Sequence, residues 1–212
     1  ECAVFNSSNP HKMAVIDHLD NMAGADKIIG AVNCVQIRDG RLTGNNTDGK
    51  GFLASLRKVP EPKGKTIVML GAGGAARAIA VELSLAGAAR ITIANRSPDK
   101  AQAIARLLTE NSKVEAHAMA WEGEFVVPEG TDVLINATSI GLGDAEAIPA
   151  VKVSSLGHAT ILPDVLPHPP MTKLLRAANA QGCLTPHPPG MLVNQATLRD
   201  ETLHGAKRPP AS

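Results

Sequence analysis

Thr66-Ile67-Val68-Met69-Leu70-Gly71-Ala72-Gly73-Gly74-Ala75-Ala76 is the stretch whose reading decides the fold. Its first five residues are aliphatic or β-branched and read as a strand buried on both faces. The turn that follows at once has the spacing Gly71-x-Gly73-x-x-Ala76 and runs into a helical pattern from Ala75 to Ala86. In such a turn the first glycine permits the tight bend and the second lets backbone approach a pyrophosphate. The small residue at the third position lets the helix pack close to the strand. The helix N-terminus adds unpaired N–H groups and a partial positive charge. Strand, turn and helix together make this the dinucleotide-binding fingerprint, with Gly71, Ala72, Gly73, Gly74 and Ala75 as contacts. The competing reading is a glycine-rich turn that binds nothing.

Downstream, apolar segments alternate as Ile91 to Ala94, Ala101 to Leu108, Asp132 to Asn136, Thr160 to Leu162 and Met171 to Ala180. Alternation of this kind predicts βαβ units and a doubly wound parallel sheet of Rossmann type. At the end of the second strand, where NAD enzymes carry an acid for the ribose 2′-hydroxyl, stands Asn95-Arg96-Ser97. An arginine there matches a 2′-phosphate in charge and fork geometry, so NADP is favoured over NAD. Lys100 adds positive charge and Asp99 opposes it. Asn136-Ala137-Thr138-Ser139-Ile140-Gly141 closes a strand at the same sheet edge, so Thr138 and Ser139 are expected to line the groove near the nicotinamide ribose.

Upstream, the pattern is different. Ala3 to Phe5 reads as a short strand, Asn6-Ser7-Ser8-Asn9-Pro10 as turn and cap formers, and His11 to Leu19 as a helix. Asp39-Gly40 between Val32–Arg38 and Arg41–Gly44 predicts a hairpin. A polar loop, Asn45 to Gly49, leads to a helix at Gly51 to Leu56, and Pro60 to Lys65 reads as a linker. The expected organisation is therefore a smaller α/β lobe over residues 1–58 and a Rossmann domain over 62–189. A helix over 190–205 and a disordered tail over 206–212 complete it. Because the chain begins at Glu1 with what looks like a strand entered midway, upstream sequence is expected to be missing and the first lobe incomplete.

Composition narrows the partner. A net charge of +1 from 21 basic and 20 acidic residues gives no field to recruit nucleic acid or an anionic membrane. No apolar run reaches the length of about 18 residues that a membrane span needs. The three cysteines have no metal-type spacing and point to a reducing, cytoplasmic setting. A small molecule is the expected partner, and no metal is expected; oligomeric state is open, a homodimer included.

Hydride exchange with a nicotinamide requires a side chain that exchanges a proton with the substrate oxygen. The sequence has no tyrosine. Lys12 and Asp48, each in a polar segment bounded by turn formers, are the candidate acid/base pair, with the aspartate holding and tuning the ammonium. Taken singly, a lysine opening a helix is usually a solvated surface residue and an aspartate in Asn-Thr-Asp-Gly a turn former.

Seven motifs in order carry a resemblance: Asn6-x-Ser8-x-Pro10-His11-Lys12, Gly30-Ala31-Val32-Asn33, Asn46-Thr47-Asp48-Gly49, Gly71 to Ala76, Asn95-Arg96-Ser97, Asn136-Ala137-Thr138-Ser139, and Gly190-Met191-Leu192-Val193-x-Gln195. Together the chain resembles the shikimate and quinate/shikimate dehydrogenase family over nearly its whole length. That resemblance implies NADP-linked oxidation of shikimate to 3-dehydroshikimate, with Lys12 and Asp48 at the catalytic positions. It places Ser8, Asn33, Thr47 and Gln195 on the substrate hydroxyls and Gly190 at the cofactor, and it returns the C-terminal helix to the substrate lobe. Quinate, or both acids, is the alternative substrate. A non-catalytic dinucleotide-binding protein or an inactive fragment is the alternative from another class. The family normally carries, before the position of Ala3, a βαβ segment whose serines bind the substrate carboxylate. It also usually shows Asp-Gly before Gly190 and Trp-Thr where Leu203-His204 stand here. His168 and His187 are read as loop structure.

Overall fold

The structure, a computed structural model, describes residues 2–7, 11–158, 160–163, 165, 169 and 171–186. Its elements gather into two four-stranded sheets.

The first sheet is built round the hairpin expected at Asp39-Gly40. These two residues take φ of 50° and 75°, the left-handed pair that a two-residue turn demands. Strands β3 (Cys34–Arg38) and β4 (Arg41–Asn45) leave it antiparallel, with Arg38 opposite Arg41. β1 (Cys2–Asn6) pairs antiparallel with β3, and the two-residue β2 (Asn21–Met22) pairs parallel with β4, giving the order β1-β3-β4-β2. The helix expected from His11 to Leu19 is only α1 (His11–Ala14), followed by a 3₁₀ turn over Val15–His18. Neither piece buries a residue, so no apolar face holds the chain to a regular α-helix there. α2 (Gly24–Ile29) ends on a left-handed Gly30. The polar loop expected at Asn45 to Gly49 is shorter than predicted: α3 (Thr47–Leu56) begins inside it, because the Asn46 side chain caps the Asp48 N–H at 3.1 Å.

The second sheet is parallel throughout, in the order β7-β6-β5-β8. β5 (Thr66–Leu70), α4 (Gly74–Leu85), β6 (Arg90–Asn95), α5 (Pro98–Asn111) and β7 (Glu115–Ala120) wind one way, and β8 (Val133–Asn136) then crosses to the other side of β5. Alternate residues of the strands feed two cores. Ile67, Met69, Ile91, Ile93, Val133 and Ile135 share one with helices α3, α4 and α5. Val68, Leu70, Ala94 and Leu134 share the other with Trp121, Phe125 and Leu174, Leu175 and Ala178 of α6 (Lys173–Ala180). Burying an aliphatic side chain of this size contributes about 1.5–3 kcal/mol, so the sheet is a firm platform with its strand order reversing between β5 and β8. Ligands of such sheets sit outside the strand ends at that reversal.

The strands differ from the sequence pattern at two places, one strand unforeseen and one expected strand absent. Glu115-Ala116-His117-Ala118-Met119-Ala120 forms an edge strand that the sequence pattern did not flag, because it lacks β-branched residues and a second apolar face. Thr160 to Leu162 is not a strand; Ile161 makes isolated bridges to Val133 and Leu184. Among the described residues, no helix is long and apolar enough to cross a membrane.

Candidate active site

Two arrangements stand at the starts of α3 and α4, helices that pack on each other. The first is the pair. Lys12 Nζ lies 2.8 Å from Asp48 Oδ2, with 27% and 19% of the two side chains exposed, so both groups meet each other and remain reachable. Thirty-six positions separate them in the chain. Asn33, 3% exposed, donates from Nδ2 to Asp48 Oδ1 at 2.7 Å, and its Oδ1 accepts from the Thr47 backbone N–H at 2.9 Å. Asn33 and Thr47 also bond side chain to side chain at 3.1 Å. Both residues, expected as substrate contacts, are buried and serve first to fix the aspartate.

Behind that layer stands a cluster the sequence reading missed. Asp26 is completely buried and accepts from the Asn46 backbone N–H at 3.0 Å and from Lys50 Nζ at 2.8 Å. Asn46 Nδ2 donates to the Ala31 carbonyl at 3.0 Å while its Oδ1 caps α3. The start of α3, which presents Thr47 and Asp48, is thus tied down by side chains from three segments. An asparagine directly before Thr-Asp is a recognised cap signal that could have been read. On the facing side, the Glu82 carboxyl of α4 is held above its usual value, chiefly by burial, with Lys50 opposing, Asp26 reinforcing and Arg57 opposing.

The second arrangement is the glycine turn. Gly71, with φ of 101°, lies so close to the loop after β8 that a Cβ would stand 2.8 Å from the Ala137 carbonyl oxygen. Around Gly73 and Gly74, by contrast, the space where a Cβ would go is open among the described residues, none of whose side chains caps α4. The turn therefore lines a cleft of about 550 Å³ with backbone N–H groups of the helix start that no described side chain caps. The residues present fit a dinucleotide. Of the expected cofactor contacts, Gly71, Ala72, Gly73, Gly74, Ala75, Asn95, Arg96, Thr138 and Ser139 all line that cleft. Ser97 does not; its carbonyl instead accepts from Asn95 Nδ2 at 3.0 Å and so shapes the loop that carries Arg96. Thr138 is partly engaged within its own loop, donating to Asn136 Oδ1 at 2.7 Å.

Trp121 and Leu142, which the sequence does not single out, add apolar walls beside Ile140 of the Asn136–Gly141 loop and Val165. Trp121 is anchored by its indole N–H on the carbonyls of Gly123 and Ala150, both at 3.2 Å. Ser8, Gln195 and Gly190, together with His168, His187 and the expected C-terminal helix and tail, lie outside the described residues.

A shikimate dehydrogenase (NADP(+)) from Alkaliphilus oremlandii is 42% identical over 93% of this chain and 71% of its own length. The chain belongs to the shikimate/quinate dehydrogenase family. The family model described as shikimate / quinate 5-dehydrogenase matches residues 54–142, which include the glycine turn, Arg96 and the Asn136 loop but not Lys12 or Asp48. Among solved structures similar to this chain, the ligand-free 5-ketofructose reductase of Gluconobacter sp. strain CHM43 is 56% identical. It matches 97% of this chain and 74% of its own, with a TM-score of 0.94. Shikimate 5-dehydrogenase from Thermus thermophilus, solved with NADP(H) and shikimate, is 33% identical over 98% of this chain and 75% of its own, with a TM-score of 0.82.

Proposed function

We propose that this chain is an NADP-linked oxidoreductase of the shikimate dehydrogenase type, interconverting the 3-hydroxyl of shikimate and the ketone of 3-dehydroshikimate. One observation carries the reading: an ammonium and a carboxylate from distant segments meet at 2.8 Å, in a lobe packed against the helix that opens at the dinucleotide turn. The nicotinamide, when bound, supplies or takes the hydride; the rest falls to this chain's own residues. Lys12 Nζ moves the proton at the substrate oxygen, donating to the ketone in reduction and accepting from the alcohol in oxidation. Asp48 orients that amine and balances its charge, and Asn33 holds Asp48 in turn. The first-turn N–H groups of α4 would hold the pyrophosphate and Arg96 the 2′-phosphate, which no acid at that position disfavours. In support of NADP, the Alkaliphilus relative is named as NADP(+)-dependent and the Thermus relative was solved with NADP(H). We read 1–58 as the substrate lobe and 62–189 as the cofactor lobe, in keeping with the two separate sheets.

A second reading has a specific observation behind it. The 5-ketofructose reductase is 56% identical to this chain, against 42% for the Alkaliphilus shikimate dehydrogenase. The same pair would then protonate the ketone oxygen of a keto sugar, which carries no carboxylate to be anchored. Initial rates with shikimate, quinate and 5-ketofructose, each with NADP(H) and NAD(H), separate the readings. A kcat/KM for shikimate with NADP above that for the other pairs supports the first, and one highest for 5-ketofructose with NADPH replaces it by the second. Quinate oxidised best with NAD would favour a quinate enzyme, and binding of NADPH with no turnover of any of the three would favour a non-catalytic binder.

A further inference from the structure

Arg77 sits in the first turn of α4, its backbone N–H bonded to the Gly73 carbonyl at 2.9 Å. A cation is electrostatically disfavoured at that end of a helix unless it serves another purpose. The purpose is not lining the dinucleotide cleft, from whose walls Arg77 is absent. Its guanidinium runs the other way, to the junction of α4 with α2, where Nη2 donates to the Ile28 carbonyl at 3.4 Å. α2 ends at Ile29, so the charge lies at the negative end of that helix and meets a carbonyl from its last turn, where intrahelical partners run out. The bond is long for its type, and Nε is buried with no hydrogen-bond partner among the described residues. A buried cationic donor left in this condition gains from any small approach of the two helices.

The segment after α2 gives the contact its consequence. Gly30, left-handed at φ of 64°, lies so near that a Cβ there would be 3.3 Å from Arg77 Nη2. It opens a four-residue strap, Gly30-Ala31-Val32-Asn33, that reaches both members of the pair. The Val32 N–H donates to the Lys12 carbonyl at 2.8 Å, and Asn33 Nδ2 donates to Asp48 at 2.7 Å. The Ala31 carbonyl accepts from Asn46, the cap of α3.

We propose that Arg77 is a positioning residue coupling the dinucleotide turn to the Lys12–Asp48 pair, through the Ile28 carbonyl and the Gly30–Asn33 strap. The proposal rests on the reading of the cleft as a dinucleotide site. Cofactor seated at the start of α4 draws Arg77 and α2 together, and the strap then holds lysine and aspartate more firmly.

The test measures amide hydrogen exchange over residues 28–33 with and without NADPH, in the wild-type chain and in Arg77→Met and Arg77→Lys, alongside NADPH titrations by fluorescence. In the wild type, NADPH is expected to slow exchange in this segment by about fivefold or more, the lower end of ordinary coupling factors. In Arg77→Met the slowing should fall below about twofold while NADPH affinity stays near that of the wild type. Should Arg77→Met fail to fold, Arg77→Lys carries the test, since it keeps the charge and loses the planar fork. Protection by NADPH that is as strong in the variants as in the wild type overturns the proposal. So does a wild type that binds NADPH with unchanged exchange over 28–33, and that result leaves the reading of the cleft standing. A wild-type chain that does not bind NADPH overturns both.

Discussion

The glycine turn and the Lys12–Asp48 pair are assembled on opposite principles. The turn is local: six consecutive residues, a strand on one side and a helix on the other, with backbone N–H groups supplying the recognition. The pair is non-local, since Lys12 and Asp48 stand 36 positions apart and are held by Asn33, Asn46 and Asp26 from three further places in the chain. Backbone recognition tolerates most side-chain changes nearby, whereas a side-chain assembly fails wherever one link is cut. Substitutions in the two regions should therefore separate cofactor binding from turnover.

The largest separation is expected from Lys12→Ala. Removal of the amine that sits 2.8 Å from the Asp48 carboxylate should lower kcat by about 10²–10⁴-fold, the ordinary contribution of general acid–base catalysis. NADPH affinity, measured by fluorescence titration, should stay near the wild-type value because the turn is untouched. Turnover close to that of the wild type would show that the pair does not act on the substrate.

Gly49→Ala attacks the same region through packing. Gly49 is needed for closeness and not for its torsion: a Cβ there would stand 2.5 Å from the Ala78 carbonyl oxygen on α4. Overpacking against backbone costs about 1–3 kcal/mol, which a melting curve will register. The enlarged residue should also push α3 off α4 and carry Asp48 with it, and a displacement of about 1 Å is enough to cost about 10²-fold in kcat. Loss of stability with kcat preserved would mean that α3 recoils without moving the carboxylate.

These two cases also mark how much was legible in the sequence. The turn was readable because its requirements are short-range and the residues that meet them are few: Gly71 to Ala75 line the cleft and Ala76 is buried in the core behind it. The pairing of Lys12 with Asp48 was readable as a candidate only, for spacing says nothing about which polar segments converge. That Asn33 and Thr47 bond each other, and Asn33 the Asp48 carboxylate, is not legible in the sequence, because it depends on where the segment before β3 meets the start of α3. Asp26 and Lys50 escaped notice because a buried ion pair and a solvated one look identical in sequence. β7 escaped because an edge strand needs only one apolar face.

A smaller effect is expected on the cofactor side from Arg96→Ala. Arg96 lines the cleft, and among the described residues no hydrogen bond or ion pair engages its guanidinium. A hydrogen bond to a charged group contributes about 1.5–3 kcal/mol, so NADP affinity should fall by roughly tenfold or more while NAD affinity stays constant. Equal losses for both dinucleotides would place Arg96 under the adenine and not on the 2′-phosphate.

The smallest effect tests the seam between the two regions. Glu82 lies on α4 facing Lys50, Asp26 and Arg57, with Oε1 buried and unpartnered among the described residues. Burial raises its folded-state value above 4.5, so the folded chain binds this proton more tightly than the unfolded one does. The stability that protonation confers is complete below 4.5 and is lost as pH rises through the raised folded value. At neutral pH the ionised carboxylate is therefore a net cost, reduced by Lys50 and Arg57 but not cancelled. Glu82→Gln, which keeps shape and removes charge, should stabilise the protein at neutral pH by on the order of 1 kcal/mol, with the advantage shrinking to nothing as the pH is lowered past 4.5. Denaturant melts of both chains across that range decide the matter. A variant less stable at neutral pH would mean that the attraction of Lys50 and Arg57 for the carboxylate outweighs its desolvation, and that the seam between α3 and α4 is held by charge.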